Sequence, residues 1–381
     1  MTDAQHTIGF VMAQPAEPAP PPFRTSGPIG WMRENLFSSI GSTLLTIVGC
    51  VFVFWALKAL IGFLLLDASF TGDDKTCRAA IEGACWPFIT ASLRYFTYAR
   101  YPFEEQWRVD LWLVLGAVLI VWLLWPKAPR KGMAAILFFI LFPLATKLLL
   151  SGSLLGFTFG LNEIDTSFWG GIFVTFLMAV AGIVFSLPFG ILLALGRRSQ
   201  MPIVKLFSVI FIEFFRGVPF ITVLFMANRM LPIFVPDSLT PDTLVRPMIA
   251  FCIFSSAYMA EIVRGGLQAI PKGQFEGAMA LGIGYWRMMY LIVLPQALTI
   301  VIPGIVGTFI GMFKDTTLIQ TVGISDFFFA LQTRQKDPTW SSPNITTTGY
   351  VFAAIFYFIF CFGMSRYARY TERKLSLSRK H

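Results

Sequence analysis

Four charged side chains inside otherwise apolar stretches are the first residues of this chain that could do chemistry. Glu213 and Arg216 stand three apart, and Glu261 and Arg264 repeat that spacing. Exposing such a charge to lipid costs at least about 2.5 kcal/mol, so each must be paired or face a polar path. Residues three apart share a helical face, which leaves two readings for Glu213 and Arg216. They neutralise each other, or one or both meet the charged groups of a solute on that path. Glu261 and Arg264 lie at the end of their stretch, where anchoring the loop that follows is the expected role. Asn228 and Arg229 sit near the outer end of the stretch that holds Glu213. There they meet an incoming solute or contact lipid head groups. Catalysis has little to work with: the histidines are His6 and His381, at the two ends, and no Cys cluster accompanies them. Neither a catalytic residue nor a metal site is expected.

These charges need a frame, and the composition says which. Of 381 residues 56% are hydrophobic and 13% charged, with a mean hydropathy of +0.68. A soluble domain cannot hide that much apolar surface. The net charge of +9 is carried in short basic runs between apolar stretches, the pattern of topology determinants and not of a nucleic-acid surface. A helix crosses the hydrocarbon core with about 20 residues, and eight stretches suffice or nearly so. They run approximately Ile40 to Leu66, Val109 to Trp125, Met133 to Leu150, Phe168 to Leu195, Ile203 to Phe234, Leu244 to Ile262, Ala297 to Phe313 and Tyr350 to Tyr367. Basic loops at Lys127, Arg130 and Lys131, at Arg197, Arg198 and Lys205, and at Arg264, Lys272 and Arg287 alternate with less basic ones. The positive-inside rule makes those loops and both termini cytoplasmic. Residues 1–38, rich in Pro and Ala, read as a disordered cytoplasmic tail without a cleavable secretory signal, and residues 376–381 as a basic tail.

Cys77 and Cys85 share the outward loop in DDKTCRAAIEGACW. An oxidising periplasm permits a disulfide there; two unpaired thiols are the alternative, because spacing alone does not fix geometry.

The stretch EGAMALGIGYWRMMYLIVLP interrupts the apolar pattern with a polar helix, a turn and a second helix. Pro271 starts the first helix, Phe275 and Met279 share one face, and Ala278 and Ala280 keep it slim. Glu276 is assigned to the first turn, where the helix dipole favours a negative charge. Gly282 and Gly284 allow a sharp turn, after which Tyr285 to Leu294 reverses before Pro295 opens a span. The expected product is a short rigid knob at the cytoplasmic surface. An ordinary interfacial amphipathic helix is the alternative, and it needs no fixed glycines.

Glu276, Gly277 and Ala278, then Gly282, then Ile292, Leu294 and Pro295 resemble the EAA loop of ABC importer permeases, departing from it at Gly277. Phe214-Phe215-Arg216-Gly217-Val218-Pro219, Tyr258 to Gly266, and Lys314-Asp315-Thr316-Thr317-Leu318 resemble further segments of the polar amino acid permeases. The resemblance covers roughly residues 165–375. Gly307 stands where many members carry Asn, so the solute contact assigned to that Asn does not carry over. The remaining residues, 39–164, form a three-span extension with the Cys loop and resemble the larger subunits of general L-amino acid permeases. The implied fold is an all-α integral membrane protein of about eight transmembrane helices, a type I importer core of five after three N-terminal spans. Implied partners are an ABC ATPase dimer, a second and unlike permease subunit, a periplasmic amino-acid-binding protein and membrane lipid, with no nucleic acid. Solute-path candidates are Glu213, Arg216, Pro219, Gly307 and Thr308.

No Gly-Lys dipeptide occurs, so the chain lacks a phosphate-binding loop of the Gly-x-x-x-x-Gly-Lys type. No cofactor is expected on it, and ATP and Mg belong to partner subunits. A secondary transporter or channel would show inverted repeats in two halves. The halves here differ in span length, charge and motif. An anchor that only recruits the ATPase would keep the loop and have no path.

Overall fold

A computed structural model describes residues 27–79, 82–154, 157–158 and 160–378. The chain divides between Ala68 and Ser69 into two compact units. The second and third spans pack with the core of the second unit.

In the first unit, α1 (Gly27–Asn35) precedes the long apolar α2 (Ile40–Leu66). The expected tail at 1–38 is therefore helical in part, and residues 1–26 lie outside the described residues. Ser39 caps α2 by accepting from the Ser42 amide at 3.1 Å, and the Thr46 hydroxyl donates to the Leu36 carbonyl at 2.8 Å. The body of α2, Ile40–Ile61, has no buried residue and is apolar all round, the mark of a membrane span.

The second unit opens with α3 (Asp74–Ala79) and α4 (Trp86–Tyr98) and continues with the spans α5 (Phe103–Leu124) and α6 (Lys131–Ser151). A two-residue ladder, β1 (Ser153–Leu154) on β2 (Phe157–Thr158), leads to α7 (Ile172–Arg197). Next come α8 (Pro202–Gly217), α9 (Phe220–Phe234), α10 (Val245–Gln268), α11 (Lys272–Ala280), α12 (Tyr285–Val322), α13 (Phe327–Gln335) and α14 (Pro343–Ser378). Among the described residues the fold is all-α apart from that ladder, with seven helices long and apolar enough to cross a membrane. The bent pair α8 and α9 makes an eighth span when counted as one.

Glycines set the core. A Cβ at Gly190 would stand 2.7 Å from Met259, and one at Gly266 would stand 2.6 Å from the Ala297 carbonyl oxygen. These positions let α7, α10 and α12 close on one another, as small residues do inside membranes. Pro219 is expected to bend the span from Ile203 to Phe234, and the helix is broken there by 106°. Val218 and Pro219 are both extended there, because a proline has no amide to donate and pushes the residue before it out of the helical region. Pro295 does not open a span either. It falls early in an α-helical segment that follows a wider π turn at Met289–Val293, so α12 runs on from Tyr285.

Cys77 and Cys85 form a disulfide with their Cα atoms 5.6 Å apart. The start of α14 and the residue before it are clipped to this bridge by hydrogen bonds: Ser342 Oγ to the Cys77 carbonyl at 3.1 Å, Asn344 Nδ2 to the Gly83 carbonyl at 3.0 Å, and the Cys85 amide to Thr348 Oγ1 at 3.1 Å. Nearby, Asp326 caps α13 by accepting from the Phe329 amide at 2.9 Å, and the Phe327 amide donates to Thr175 Oγ1 at 3.0 Å. Phe327 is fully buried, with Phe356 4.5 Å away and Phe96 6.0 Å away.

Candidate functional site

Helix α11 ends in a Schellman turn that its own sequence dictates. The Ile283 amide donates to the Ala278 carbonyl at 3.1 Å and the Gly282 amide to the Met279 carbonyl at 2.9 Å. Gly282 holds φ +69°, which suits a residue without a Cβ. Gly284 is extended and carries no such requirement. Glu276 is the fifth residue of α11, beyond the first turn, so the dipole argument for it fails. The face turned to the protein comprises Phe275 and Ala278, not Phe275 and Met279, since Met279 is exposed. Ile292 and Leu294 pack on the core, while Pro295 and Gly277 are exposed. Gln296 Nε2 reaches Gln274 Oε1 at 3.1 Å and ties α11 to α12. Away from that seat the loop is apolar and open: Leu281 is 79%, Trp286 68% and Tyr290 75% exposed.

The four charges come together: Glu261 and Arg264 pair at their spacing of three, while Glu213 and Arg216 do not pair with each other. Arg197, at the end of α7, places Nη1 2.8 Å from Glu213 Oε1, out of line for a hydrogen bond, and 3.8 Å from Glu261 Oε2. Arg216 Nη1 lies 3.7 Å from Glu261 Oε2, and its guanidinium stands 5.9 Å from the Tyr258 ring. Arg264 grips both oxygens of Glu261, with Nε to Oε2 at 2.9 Å. Glu213 and Arg216 are therefore partnered across helices and not with each other. They lie on the last turns of α8, at the level of the end of α7, not in mid-span.

The other path candidates are less crowded. The Thr308 hydroxyl donates to the Gly304 carbonyl at 3.1 Å. Thr308 shares a small pocket with Phe254, Ser255, Tyr258 and Met312. A Cβ at Gly307 would meet nothing within 4 Å, and Pro219 is exposed at the break. Asn228 is buried and donates to the Val322 carbonyl at 2.8 Å, so it pins α9 to α12; Arg229 stays exposed. Among the described residues no cluster of His, Cys, Asp or Glu could hold a metal. Sequence reading missed Arg197 and Arg198 as site residues, because a basic pair after an apolar stretch reads as a topology marker.

Residues 186–377 match the family described as binding-protein-dependent transport system inner membrane component. Two relatives span almost the whole chain. An inner membrane amino-acid ABC transporter permease protein of Escherichia coli, YhdY, is 46% identical, covering 95% of this chain and 97% of its own length. A glutamate/glutamine/aspartate/asparagine transport system permease protein of Rhodobacter capsulatus, BztC, is 37% identical over 96% of this chain and 98% of its own length. A solved amino acid ABC transporter with histidines is 27% identical over 54% of this chain and 92% of its own, with a TM-score of 0.47. The chain belongs to the family of binding-protein-dependent transport system inner membrane components. It is a permease subunit of an ABC transporter.

Proposed function

We propose that this chain forms part of the membrane path of an ATP-driven importer of L-amino acids. Partner ATPase subunits bind ATP and Mg, a second and unlike permease completes the path, and a periplasmic binding protein delivers the solute. The coupling loop and both termini lie on the cytoplasmic side, as the basic loops indicate. The substrate class rests on the two relatives that span almost the whole chain.

The observation that carries the reading is the build of the loop from Glu276 to Pro295. One face is fixed by buried Ala278, Met288, Met289 and Val293, and the other exposes Leu281, Trp286 and Tyr290. An exposed apolar knob on a rigid seat suits docking into another protein. Moving a two-state protein from mostly one state to mostly the other takes about 5.5 kcal/mol of differential binding, which a loose contact cannot deliver. ATP-driven closure of the ATPase dimer would draw such knobs together and switch the access of the path. Glu213, Arg216, Pro219, Gly307 and Thr308 are the residues proposed to line or gate it.

The test is reconstitution of the purified complex in vesicles, with and without ATP. Co-purification of an ATPase and ATP-dependent uptake, both reduced in Glu276→Lys, is the expected result. A chain that purifies alone and moves amino acids without ATP would make it a secondary transporter. A complex that hydrolyses ATP and moves nothing would leave only an anchor.

A further inference from the structure

Three consecutive residues at the end of α7 make three different attachments. Gly196 lets α8 in: a Cβ there would stand 2.2 Å from Ser208 Oγ. Arg197 turns to Glu213 of α8 and Glu261 of α10. Arg198 turns the other way. Its Nη1 donates to the Leu267 carbonyl at 3.0 Å, and its guanidinium lies 5.4 Å from the centroid of the Phe275 ring in α11.

Each attachment has its physical cause. Leu267 is in the last turn of α10, where carbonyls have no partner further along the helix and the dipole favours a cation. Phe275 presents an aromatic face to that same cation. A planar guanidinium satisfies both at once, which an ammonium does less well. The result is a chain of contacts from the coupling helix to the ionic cluster. Phe275 meets Arg198, the next residue back is Arg197, and Arg197 meets Glu213 and Glu261. No loop intervenes between Arg198 and Arg197, and Gly196 fastens the same turn to α8.

We propose that the Gly196-Arg197-Arg198 turn is the link that makes the coupling helix and the ionic cluster move together, with Arg198 as its positioning residue. The inference rests on the importer reading above and adds a residue that motif matching does not pick out. When α11 is pushed, the guanidinium carries the end of α7 with it, and Arg197 shifts against Glu213 and Glu261. The cluster on the loop side of the path then opens or closes in step with the motor. Losing Arg198 leaves the motor able to turn over and the path intact, with the connection between them slack.

The experiment uses the full complex in vesicles and reads ATP hydrolysed per amino acid taken up. Arg198→Ala is expected to raise that ratio roughly fivefold or more, the low end of usual coupling effects. Arg198→Lys is expected to lie between it and the native chain. Phe275→Leu, which keeps the apolar seat and removes the aromatic face, is expected to move the ratio the same way. A purely structural role would lower yield and both rates in proportion, and an unchanged ratio in Arg198→Ala overturns the proposal. If Arg198→Ala does not assemble, Arg198→Lys and Phe275→Leu decide, and an unchanged ratio in both overturns it. Absence of ATP-dependent uptake by the native complex would instead sink the importer reading itself.

Discussion

Arg197 and Glu213 meet at 2.8 Å across two helices, although Arg216 stands only three residues from Glu213 in the same helix. Glu261 is what the remaining arginines share: Arg216 and Arg264 both face it, and Arg197 is 3.8 Å away. Removing the two carboxylates should therefore have unequal effects. Glu261→Ala takes the shared carboxylate from Arg216 and Arg264 and is expected to cost about 1–3 kcal/mol, the usual range for losing hydrogen bonds to a charged group. Glu213 is 55% exposed, and Glu213→Ala is expected to cost less than about 1 kcal/mol. Thermal unfolding of the two variants in detergent checks this, and equal losses would refute the shared-hub arrangement.

The two glycines of the coupling loop make a cleaner contrast. Gly277 lies within α11 and a Cβ there would meet nothing within 4 Å, so Gly277→Ala should stabilise the helix by about 0.5–1 kcal/mol and leave uptake intact. Gly282 holds φ +69°, and Gly282→Ala should cost about 1–2 kcal/mol and reduce ATP-driven uptake by misdirecting the turn. Paired melting and uptake measurements decide. A harmless Gly282→Ala would mean that the turn geometry is not what transmits the force.

The loop was legible because its residues are short-range. Glu276 through Pro295 fix a helix, a turn and a second helix with little help from the rest of the fold, so spacing alone outlined them. The ionic cluster was half legible: charges in apolar stretches announce a site, yet their partners come from helices far apart in sequence. The partner of Glu213 is Arg197 at the end of the preceding helix, and Pro219 signals a bend in the sequence without giving its angle. Arg198 was hidden for another reason. A basic residue after a span has an ordinary explanation in topology, and only the position of the Leu267 carbonyl and the Phe275 ring gives it a second one. Glu276 is the fifth residue of a helix that begins at Lys272, as Pro271 signals, and so lies beyond the first turn assigned to it.

Asp326, which lies between α12 and α13, is fully buried, and its Oδ2 has no hydrogen-bond partner. Burial pushes its carboxyl up from 3.8 to about 7, against amide hydrogen bonds that pull it down. With the folded value raised, the neutral form is favoured by folding. The contribution to stability is full below the ordinary value of 3.8, is lost as pH rises toward about 7, and is level beyond. Asp326→Asn keeps an oxygen for the Phe329 amide and removes the ionisation. Its unfolding temperature is expected to vary less with pH than that of the native chain over this interval, and to exceed it on the alkaline side. Parallel pH profiles for the two proteins would rule this out.

The Cys77–Cys85 bridge closes a loop with a sequence separation of 8, and the same loop receives Ser342 and Asn344 from the connection that leads into α14. Chain-entropy arguments give about 2–3 kcal/mol for closing a loop of this size. Its effect should extend further than the loop, because the carbonyls of Cys77 and Gly83 hold the start of α14. Cys85→Ser is expected to lower the unfolding temperature and to speed proteolysis within residues 337–348, while leaving the coupling loop as protected as before. Limited proteolysis with fragment mapping reads both at once. If cleavage rises equally in the two segments, the bridge stabilises the fold globally and does not specifically hold the connection before α14.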